Sequence, residues 1–253
     1  MEYPKLQGLY KREGLIYNEK LNRYEVDLQF KARKSKIIEG DFSCDEFDIV
    51  KRWFVTEKVD GMNVRIIYEN GTVNIYGRTD KALFNKEFYQ KLQDTFSKEK
   101  LAEVFPDAKK VVLFGEGYGG KIQSGGYYRK DIDFALFDVY TDRFWVNWGG
   151  LTDIASKLNI KTVPLLMNPY CDEPYNFIWN LDEIVSYVKE KNDSKIANEA
   201  HVMEGVVCRS ATQMLFRKPC IIGTEPLVYA DYHQPIMFKL RCEDFPDENS
   251  LAG

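Results

Sequence analysis

The residues with the clearest capacity for chemistry begin at a lysine that ends a β-rich run. Lys58 is followed closely by Asp60 and Gly61, in the pattern Lys-x-Asp-Gly. A deprotonated lysine amine is a nucleophile, and a glycine beside it permits a tight turn in which the backbone approaches a ligand. The same residues would also suit a surface β-turn, so this motif alone leaves both interpretations open.

Two motifs in the middle of the chain place polar or aromatic side chains within apolar runs. Glu116 ends one such run inside the glycine-rich segment 114–120. Its carboxylate could bind ribose hydroxyls or a metal, or it could belong to an ordinary turn; the glycines do not form a Walker A loop. Phe137 and Asp138 lie in the apolar run 134–139, for which a buried strand is the default interpretation.

Two further motifs follow later in the sequence. Glu204 precedes Gly-Val-Val, and both Lys239 and Arg241 alternate with apolar residues. Side chains two positions apart lie on one face of a strand, so we expect both cations to point in the same direction. An edge strand that uses charge to prevent aggregation would show the same pattern.

Composition argues against several classes of protein and site. Of the 253 residues, 44% are hydrophobic and 29% are charged, as in ordinary globular proteins. The five scattered cysteines and two histidines argue against a disulfide framework, a zinc centre and a Ser-His-Asp triad. The sequence lacks a signal-peptide pattern and an apolar run near the ~20 residues that span a bilayer. We therefore expect an intracellular protein, in cytoplasm or nucleus, without a membrane partner.

Charge provides no global attraction for a polyanion. The sequence has 35 basic and 39 acidic residues, a net charge of −4, so a nucleic-acid partner would have to bind local basic patches. The two candidates for contact with a nucleic-acid backbone are residues 31–36 (KARKSK) and residues 127–130 (YYRK). A solvated basic loop is the alternative for the first segment.

Hydrophobic periodicity predicts one α+β domain built on antiparallel sheets. Asn70-Gly71 joins two β-rich runs into a hairpin within residues 53–78. A helical period predicts two helices within 84–105 and one helix each at 151–158 and 181–188. The last helix begins with a capping pair, Asn180 and Glu183. Further short strands are predicted at 111–116, 134–140, 202–208, 213–217 and 235–241.

Taken in order, the five motifs resemble those of the covalent nucleotidyltransferase superfamily, which includes ATP-dependent ligases and mRNA capping enzymes. Within it, the sequence is most similar to RNA ligase 2 and the RNA-editing ligases. Glu57 precedes the lysine, and Asn63 stands where DNA ligases and capping enzymes usually carry arginine. The segment 115–123 (GEGYGGKIQ) looks like the glycine-rich turn of RNA ligase 2, and Arg78 follows the predicted hairpin as in that family.

This resemblance implies an ATP-dependent RNA ligase. Antiparallel β-sheets with flanking helices would form a nucleotide pocket, as in the nucleotidyltransferase or ATP-grasp-like ligase fold. Lys58 would attack the α-phosphate of ATP, and the AMP would pass to an RNA 5′-phosphate before a 3′-hydroxyl displaces it. The alternatives are an ATP-dependent DNA ligase, a capping-type nucleotidyltransferase and a catalytically inactive nucleotide-binding module.

The resemblance also implies roles for the other site residues. Glu116 would hold the ribose, Phe137 would stack on adenine, and Glu204 with Asp60 would bind Mg²⁺ or Mn²⁺. Lys239 and Arg241 would act in catalysis and neutralise the α-phosphate. Asn63 and Arg78 would contact phosphates or order the water shell of the metal. Glu57 is the remaining residue implied to bind the nucleotide.

The sequence departs from the family pattern at two places. Arg241 stands where the last motif usually has a second lysine, and arginine keeps the charge but does not donate a proton. Only 12 residues follow Arg241. We therefore expect a single adenylyltransferase domain over residues 1–253, with residues 1–50 packed on it as a basic N-terminal segment. A C-terminal OB or helical domain would be missing or replaced by a partner protein.

Overall fold

The computed structural model describes residues 1–18, 23–26, 36–123, 125–142, 144–171, 176–220 and 228–246. Its contacts divide the chain into two compact units, each assembled from separate stretches of sequence. The first unit comprises Met1–Lys5, Thr56–Leu165 and Asn192–Glu204, and the second comprises Leu6–Val55, Leu166–Lys191 and Gly205–Gly253. The N-terminal 50 residues, predicted as one packed segment, are thus divided between the two units.

Strands predominate over helices in the described residues. The strands are β1 (Gln7–Gly8), β2 (Tyr10–Arg12), β3 (Leu15–Asn18), β4 (Arg23–Val26), β5 (Ile37–Phe42), β6 (Trp53–Lys58), β7 (Met62–Glu69), β8 (Thr72–Gly77), β9 (Lys110–Tyr118), β10 (Asp133–Thr141), β11 (Phe144–Trp145), β12 (Lys161–Thr162), β13 (Ile178–Trp179), β14 (Gly205–Ser210), β15 (Leu215–Cys220), β16 (Val228–Pro235) and β17 (Met237–Arg241). The helices are α1 (Asp45–Ile49), α2 (Lys86–Thr95), α3 (Lys98–Val104), α4 (Trp148–Leu158) and α5 (Leu181–Lys189).

The first unit is organised around an antiparallel sheet with strand order β11-β10-β9-β7-β8, to which β12 adds in parallel beside β10. The predicted hairpin at Asn70-Gly71 is confirmed, because β7 and β8 pair antiparallel on either side of it. Both turn residues have positive φ, 49° for Asn70 and 74° for Gly71. Such values favour asparagine and glycine, and they match the right-handed twist of the two strands.

Helices cover one face of this sheet. The two helices predicted within 84–105 are confirmed as α2 and α3, and each begins at a side-chain cap, provided by Asn85 and Ser97. Phe88 of α2 and Leu101 of α3 are buried in the same core cluster as Val64 of β7. Burial of this apolar face, together with the caps, accounts for two helices that are short by themselves.

The second unit contains a sheet of strand order β1-β17-β14-β6-β13, with β1 parallel to β17. The ring of Phe238 on β17 packs edge-on against that of Trp53 on β6, with centroids 4.7 Å apart. The predicted capping pair is confirmed at α5, where Asn180 and Glu183 form a capping box. The α+β class with antiparallel sheets is therefore confirmed, while the nucleotide pocket stays a prediction.

Several predicted boundaries were wrong. The strand predicted from residue 202 begins at Gly205, and the strand predicted to end at Glu116 continues to Tyr118. Strands β1 to β5 were not predicted, because their short runs lack a clear alternation. Of the basic segment 31–36, only Lys36 lies within the described residues, where it is exposed. No helix in the described part of the chain is long and apolar enough to cross a membrane.

Candidate active site

Lys58 is the last residue of β6, and its neighbour on the strand points the opposite way. Burial alternates along β6, so that Glu57 is 1% exposed whereas Lys58 is half-buried. Alternation of faces is the ordinary property of a strand. The backbone N–H of Glu57 donates to the carbonyl of Pro164 at 2.9 Å, which holds the end of β6 in place.

Glu57 fastens a second segment to this strand. Its Oε1 accepts a hydrogen bond from the hydroxyl of Ser194 at 2.5 Å, and its Oε2 accepts one from the backbone N–H of Lys195 at 2.7 Å. Burial raises the pKa of Glu57, and these two donors oppose that shift. Both oxygens therefore have protein partners within the first unit, and the nucleotide contact inferred for Glu57 stays a prediction.

The segment that hydrogen-bonds to Glu57 belongs to the stretch Asn192–Glu204, which ends at the ion-pair partner of Lys58. Nζ of Lys58 donates to Oε2 of Glu204 at 2.5 Å. About a quarter of each side chain is exposed, 23% for Lys58 and 25% for Glu204. Glu204 directly precedes β14. The structure therefore joins two predicted site residues in one ion pair that solvent and ligands can reach.

The turn after Lys58 is held by a buried tyrosine and a close approach of two strands. The backbone N–H of Asp60 donates to the hydroxyl of Tyr128 at 3.1 Å, and Tyr128 is fully buried. A Cβ atom on Gly61 would lie 2.3 Å from the carbonyl oxygen of Gly117 and 2.9 Å from Cγ of Glu116. The glycine of the motif is therefore required by the neighbouring strand, whereas the sequence suggested approach to a ligand.

Glu116 lies on β9 directly opposite Asn63 on β7. It is flanked by two glycines, and side chains at those positions would collide with the rings of Phe134 and Phe88. The glycine-rich motif is thus part of a strand whose small residues admit aromatic packing. The alternative considered from the sequence, that Glu116 lies in an ordinary turn, was therefore wrong.

The pKa of Glu116 shows which charges surround it. Burial raises this pKa to about 8. The positive charges of Lys58 and Arg78 lower it, and the carboxylates of Glu204 and Asp60 raise it further. Electrostatic coupling of this kind needs proximity, so the structure gathers these five predicted residues in one cluster. Arg78 is exposed at its edge, just after β8.

Asn63 carries a polar atom that folding leaves unsatisfied. Within the described residues, its Oδ1 is buried and has no hydrogen-bond partner. A buried acceptor without a donor costs roughly 1–3 kcal/mol. Because Asn63 lies opposite Glu116, its side chain belongs to the same cluster, and its Oδ1 is an acceptor that the fold leaves without a donor.

Phe137 lies at a β-bulge. The register of β10 on β9 shifts between Leu136 and Asp138, so Phe137 is an extra residue that interrupts the alternation of faces. The half-buried Phe137 ring meets Tyr3 edge-on with centroids 4.9 Å apart. The hydroxyl of Tyr3 donates to Oδ2 of Asp138 at 2.9 Å. One aromatic residue thus contacts both neighbours, although strict alternation would place them on opposite faces.

Lys239 and Arg241 belong to the second unit. Both are half-buried on β17 and alternate with the buried residues Phe238 and Leu240, so the predicted common face is confirmed. Arg241 Nη1 forms an ion pair with Glu243 at 2.5 Å. The predicted action of the two cations on the α-phosphate stays a prediction.

Comparison with known proteins identifies the family. Residues 51–221 match the RNA ligase family, over well more than half of the chain. The chain belongs to the RNA ligase family. The match includes Lys58, Glu116 and Glu204, which belong to the cluster described above, and it also includes Phe137. Among curated proteins, none matches this family member significantly.

Solved structures of an RNA ligase from Naegleria gruberi are similar to this chain. That RNA ligase with PPi is 21% identical to this chain, with a TM-score of 0.50, and the match covers 64% of this chain and 47% of that one. A variant of that ligase with ATP and Mn is 19% identical with a TM-score of 0.52, over 83% and 59% of the two chains. This chain thus spans about half the length of the structures it matches. At these identities the likeness shows the fold.

Two residues that support the site were missed by the sequence analysis. Ser194 holds Glu57, and Tyr128 holds the turn at Asp60. Tyr128 was predicted to contact a nucleic-acid backbone, but it is fully buried. Its neighbour Arg129 pairs with Asp131. No local pattern could have identified these supports, because each contact joins residues far apart in sequence.

Proposed function

We propose that this protein is an ATP-dependent RNA ligase whose nucleophile is Lys58. The observation that carries the proposal is the ion pair between Lys58 and Glu204, set beside Glu116 in a chain of the RNA ligase family. A nucleophilic lysine needs a group that receives its proton, and carboxylate oxygens are suited to that task.

The first step would transfer AMP to the lysine. Nζ of Lys58 attacks the α-phosphorus of ATP, a phosphorus–nitrogen bond forms, and the bond to the pyrophosphate oxygen breaks. Oε2 of Glu204, 2.5 Å from the amine, is placed to accept the proton that the amine loses. Lys239 and Arg241 are proposed to offset the negative charge of the transferred phosphoryl group.

Two further transfers would complete ligation. An oxygen of the RNA 5′-phosphate attacks the phosphorus of the lysyl–AMP, and Lys58 leaves as an amine. The 3′-hydroxyl of the other RNA end then attacks the activated 5′-phosphorus, and AMP leaves as the phosphodiester forms. RNA ends are proposed in preference to DNA ends, because Asn63 and the segment 115–123 resemble the corresponding residues of RNA ligases.

The residues around Lys58 would bind the nucleotide and a divalent metal. Glu116 would bind the ribose hydroxyls, Phe137 would stack on the adenine, and the exposed Arg78 would contact phosphates. In the described residues, no three His, Cys, Asp or Glu side chains form a group that could hold a metal alone. Asp60 and Glu204 fit the usual Mg²⁺ site, in which one or two carboxylates act with substrate phosphates and waters.

The oxygen donors of the cluster suit such an ion. The unsatisfied Oδ1 of Asn63 is an acceptor that a metal-bound water could satisfy. When bound, the metal would supply positive charge that stabilises the phosphoryl groups of ATP.

Incubation with α-labelled ATP and a divalent metal tests the proposal. We expect label on the wild type after denaturing electrophoresis, and none on Lys58→Ala. Lys51→Ala is a matched control, because Lys51 is an exposed lysine on the second unit, outside the cluster. An unlabelled wild type, or label that survives Lys58→Ala, would contradict the assignment.

The choice of nucleotide and of polynucleotide separates the alternative functions. Labelling by GTP in place of ATP would indicate a capping-type nucleotidyltransferase. Equal sealing of an all-DNA nick and a nick with an RNA 3′-hydroxyl end would favour a DNA ligase. Binding of ATP without covalent label would indicate an inactive nucleotide-binding module.

A further inference from the structure

Two aromatic rings stack at the surface of the first unit, outside the residues assigned above. The rings of Tyr127 and His201 have centroids 4.8 Å apart and are parallel to within 5°. Tyr127 is 60% exposed, whereas His201 is half-buried. Because His201 covers one face of the Tyr127 ring, the exposed area of that ring lies on its other face and its edge.

The stack packs through His201 on Tyr128, the buried residue that also contacts the turn after Lys58. Tyr128 meets His201 edge-on, with centroids 5.7 Å apart, and its hydroxyl accepts a hydrogen bond from the backbone N–H of Asp60. The backbone carbonyl of His201 accepts a hydrogen bond from the backbone N–H of Ser194 at 2.8 Å. A continuous line of contacts therefore runs from the exposed Tyr127 ring to the turn two residues after Lys58.

Two exposed lysines belong to the same stretch of chain as Tyr127. Lys121 and Lys130 are both exposed, and the hydrogen bond from Gly120 N–H to the Arg129 carbonyl brings the residues before them together. The Arg129 side chain itself is paired with Asp131 and Asp133. An exposed aromatic face next to lysines is the usual surface for a single-stranded nucleic acid, because bases stack on the ring and phosphates meet the cations.

We propose that the open face of Tyr127 stacks on one unpaired base of the RNA strand whose end is joined, while Lys121 and Lys130 contact the flanking phosphates. This inference rests on the proposed ligase function and deepens it. It also replaces the backbone contact predicted for the whole segment 127–130, since only its first and last residues are exposed.

Binding of a short 5′-phosphorylated single-stranded RNA, followed by fluorescence anisotropy, tests the stack. Tyr127→Ala should weaken binding about 5- to 150-fold, the range of one base–aromatic stack, and Tyr127→Trp should restore it. The loss should not change the dependence of binding on salt. Lys130→Ala should reduce the slope of log affinity against log salt by about 0.7, because it removes one phosphate contact on a single strand.

A series of RNAs with one base removed at each position makes the test specific. At one position, loss of the base should weaken binding of the wild type but not of Tyr127→Ala. Phe144→Ala, which removes a similarly exposed ring at 62% exposure, should retain the wild-type pattern.

Equal binding by wild type and Tyr127→Ala, or equal base dependence of the two at every position, would overturn the stack. Absence of RNA binding by the wild type would also overturn it. Label on Lys58 is measured separately, so a failure of the ligase assignment is distinguishable from a failure of the stack.

Discussion

Lys58 and Glu204 form an ion pair across 146 residues of sequence, with Nζ and Oε2 2.5 Å apart. Before ATP can react, the amine must exchange this partner for the α-phosphorus. The pair therefore connects the resting protein directly to the first chemical step, and it gives Glu204 two proposed tasks, proton acceptance and metal binding.

Replacement of Glu204 should separate catalysis from stability. Because a quarter of its side chain is exposed, we expect Glu204→Gln to cost under about 1 kcal/mol of stability, as for accessible ion pairs. Adenylylation of Lys58 should fall by about 10²–10⁴-fold, the range for a positioned acid–base group. Asp153→Asn, which breaks the exposed Lys157–Asp153 pair on α4, is the control for general electrostatic effects. A Glu204→Gln variant with wild-type labelling would refute the role.

Asn63 should show the signature of a residue retained for function. Asn63→Leu removes the buried, unsatisfied Oδ1, so thermal or urea unfolding should show unchanged stability or a gain of about 1 kcal/mol. Labelling of Lys58 should nevertheless fall. If stability falls sharply instead, Asn63 contributes mainly to packing of β7.

Glu116 should make stability depend on pH. Its pKa is about 8 in the folded protein, above its ordinary value of 4.5. The folded state therefore holds the proton more tightly than the unfolded state. The resulting contribution to the free energy of unfolding is fully present below pH 4.5 and is lost as pH rises through about 8. In metal-free buffer without nucleotide, Glu116→Gln should lose less stability than the wild type between pH 5 and 8. Parallel stability curves for the two proteins would contradict the shift.

Local features of the fold were predictable because their causes are local. Asn70-Gly71 fixes a turn by backbone preference, and Asn180 with Glu183 caps a helix within one turn. The members of the site were indicated by the order of their motifs. Their meeting depends on pairing between distant strands, as for Asn63 and Glu116, and no spacing along the sequence reports such a register.

The errors share the same origin. The sequence analysis explained Gly61 by the close approach of a ligand to the backbone. The atoms that exclude a side chain there instead belong to β9. The apolar run 134–139 was interpreted as an ordinary buried strand, in which Phe137 and Asp138 would lie on opposite faces, but the bulge between β10 and β9 interrupts that alternation. In both places the deciding contact comes from a neighbouring strand, which the sequence pattern does not contain.

Gly61 should tolerate no side chain. Gly61→Ala would place its Cβ 2.3 Å from the carbonyl oxygen of Gly117, and overpacking of this kind costs about 1–3 kcal/mol. Labelling of Lys58 should fall because the turn after it is displaced. Gly149→Ala is the matched control, since the nearest atom to its added Cβ is 3.6 Å away. Equal stability of the two variants would show that β7 and β9 can separate at this point.

Phe137 allows a direct choice between a stacking residue and a core residue. If its ring stacks on adenine, Phe137→Ala should weaken ATP binding by about 1–3 kcal/mol, with a smaller loss of stability because the ring is only half-buried. Phe134→Ala is the contrasting variant on the same strand. Phe134 is 4% exposed, so its removal should cost about 3–5 kcal/mol of stability through an unfilled cavity and leave ATP affinity unchanged in the folded fraction. Calorimetric titration with ATP and thermal melting of both variants measure the two quantities. A Phe137→Ala variant that behaves like Phe134→Ala would remove Phe137 from the nucleotide site.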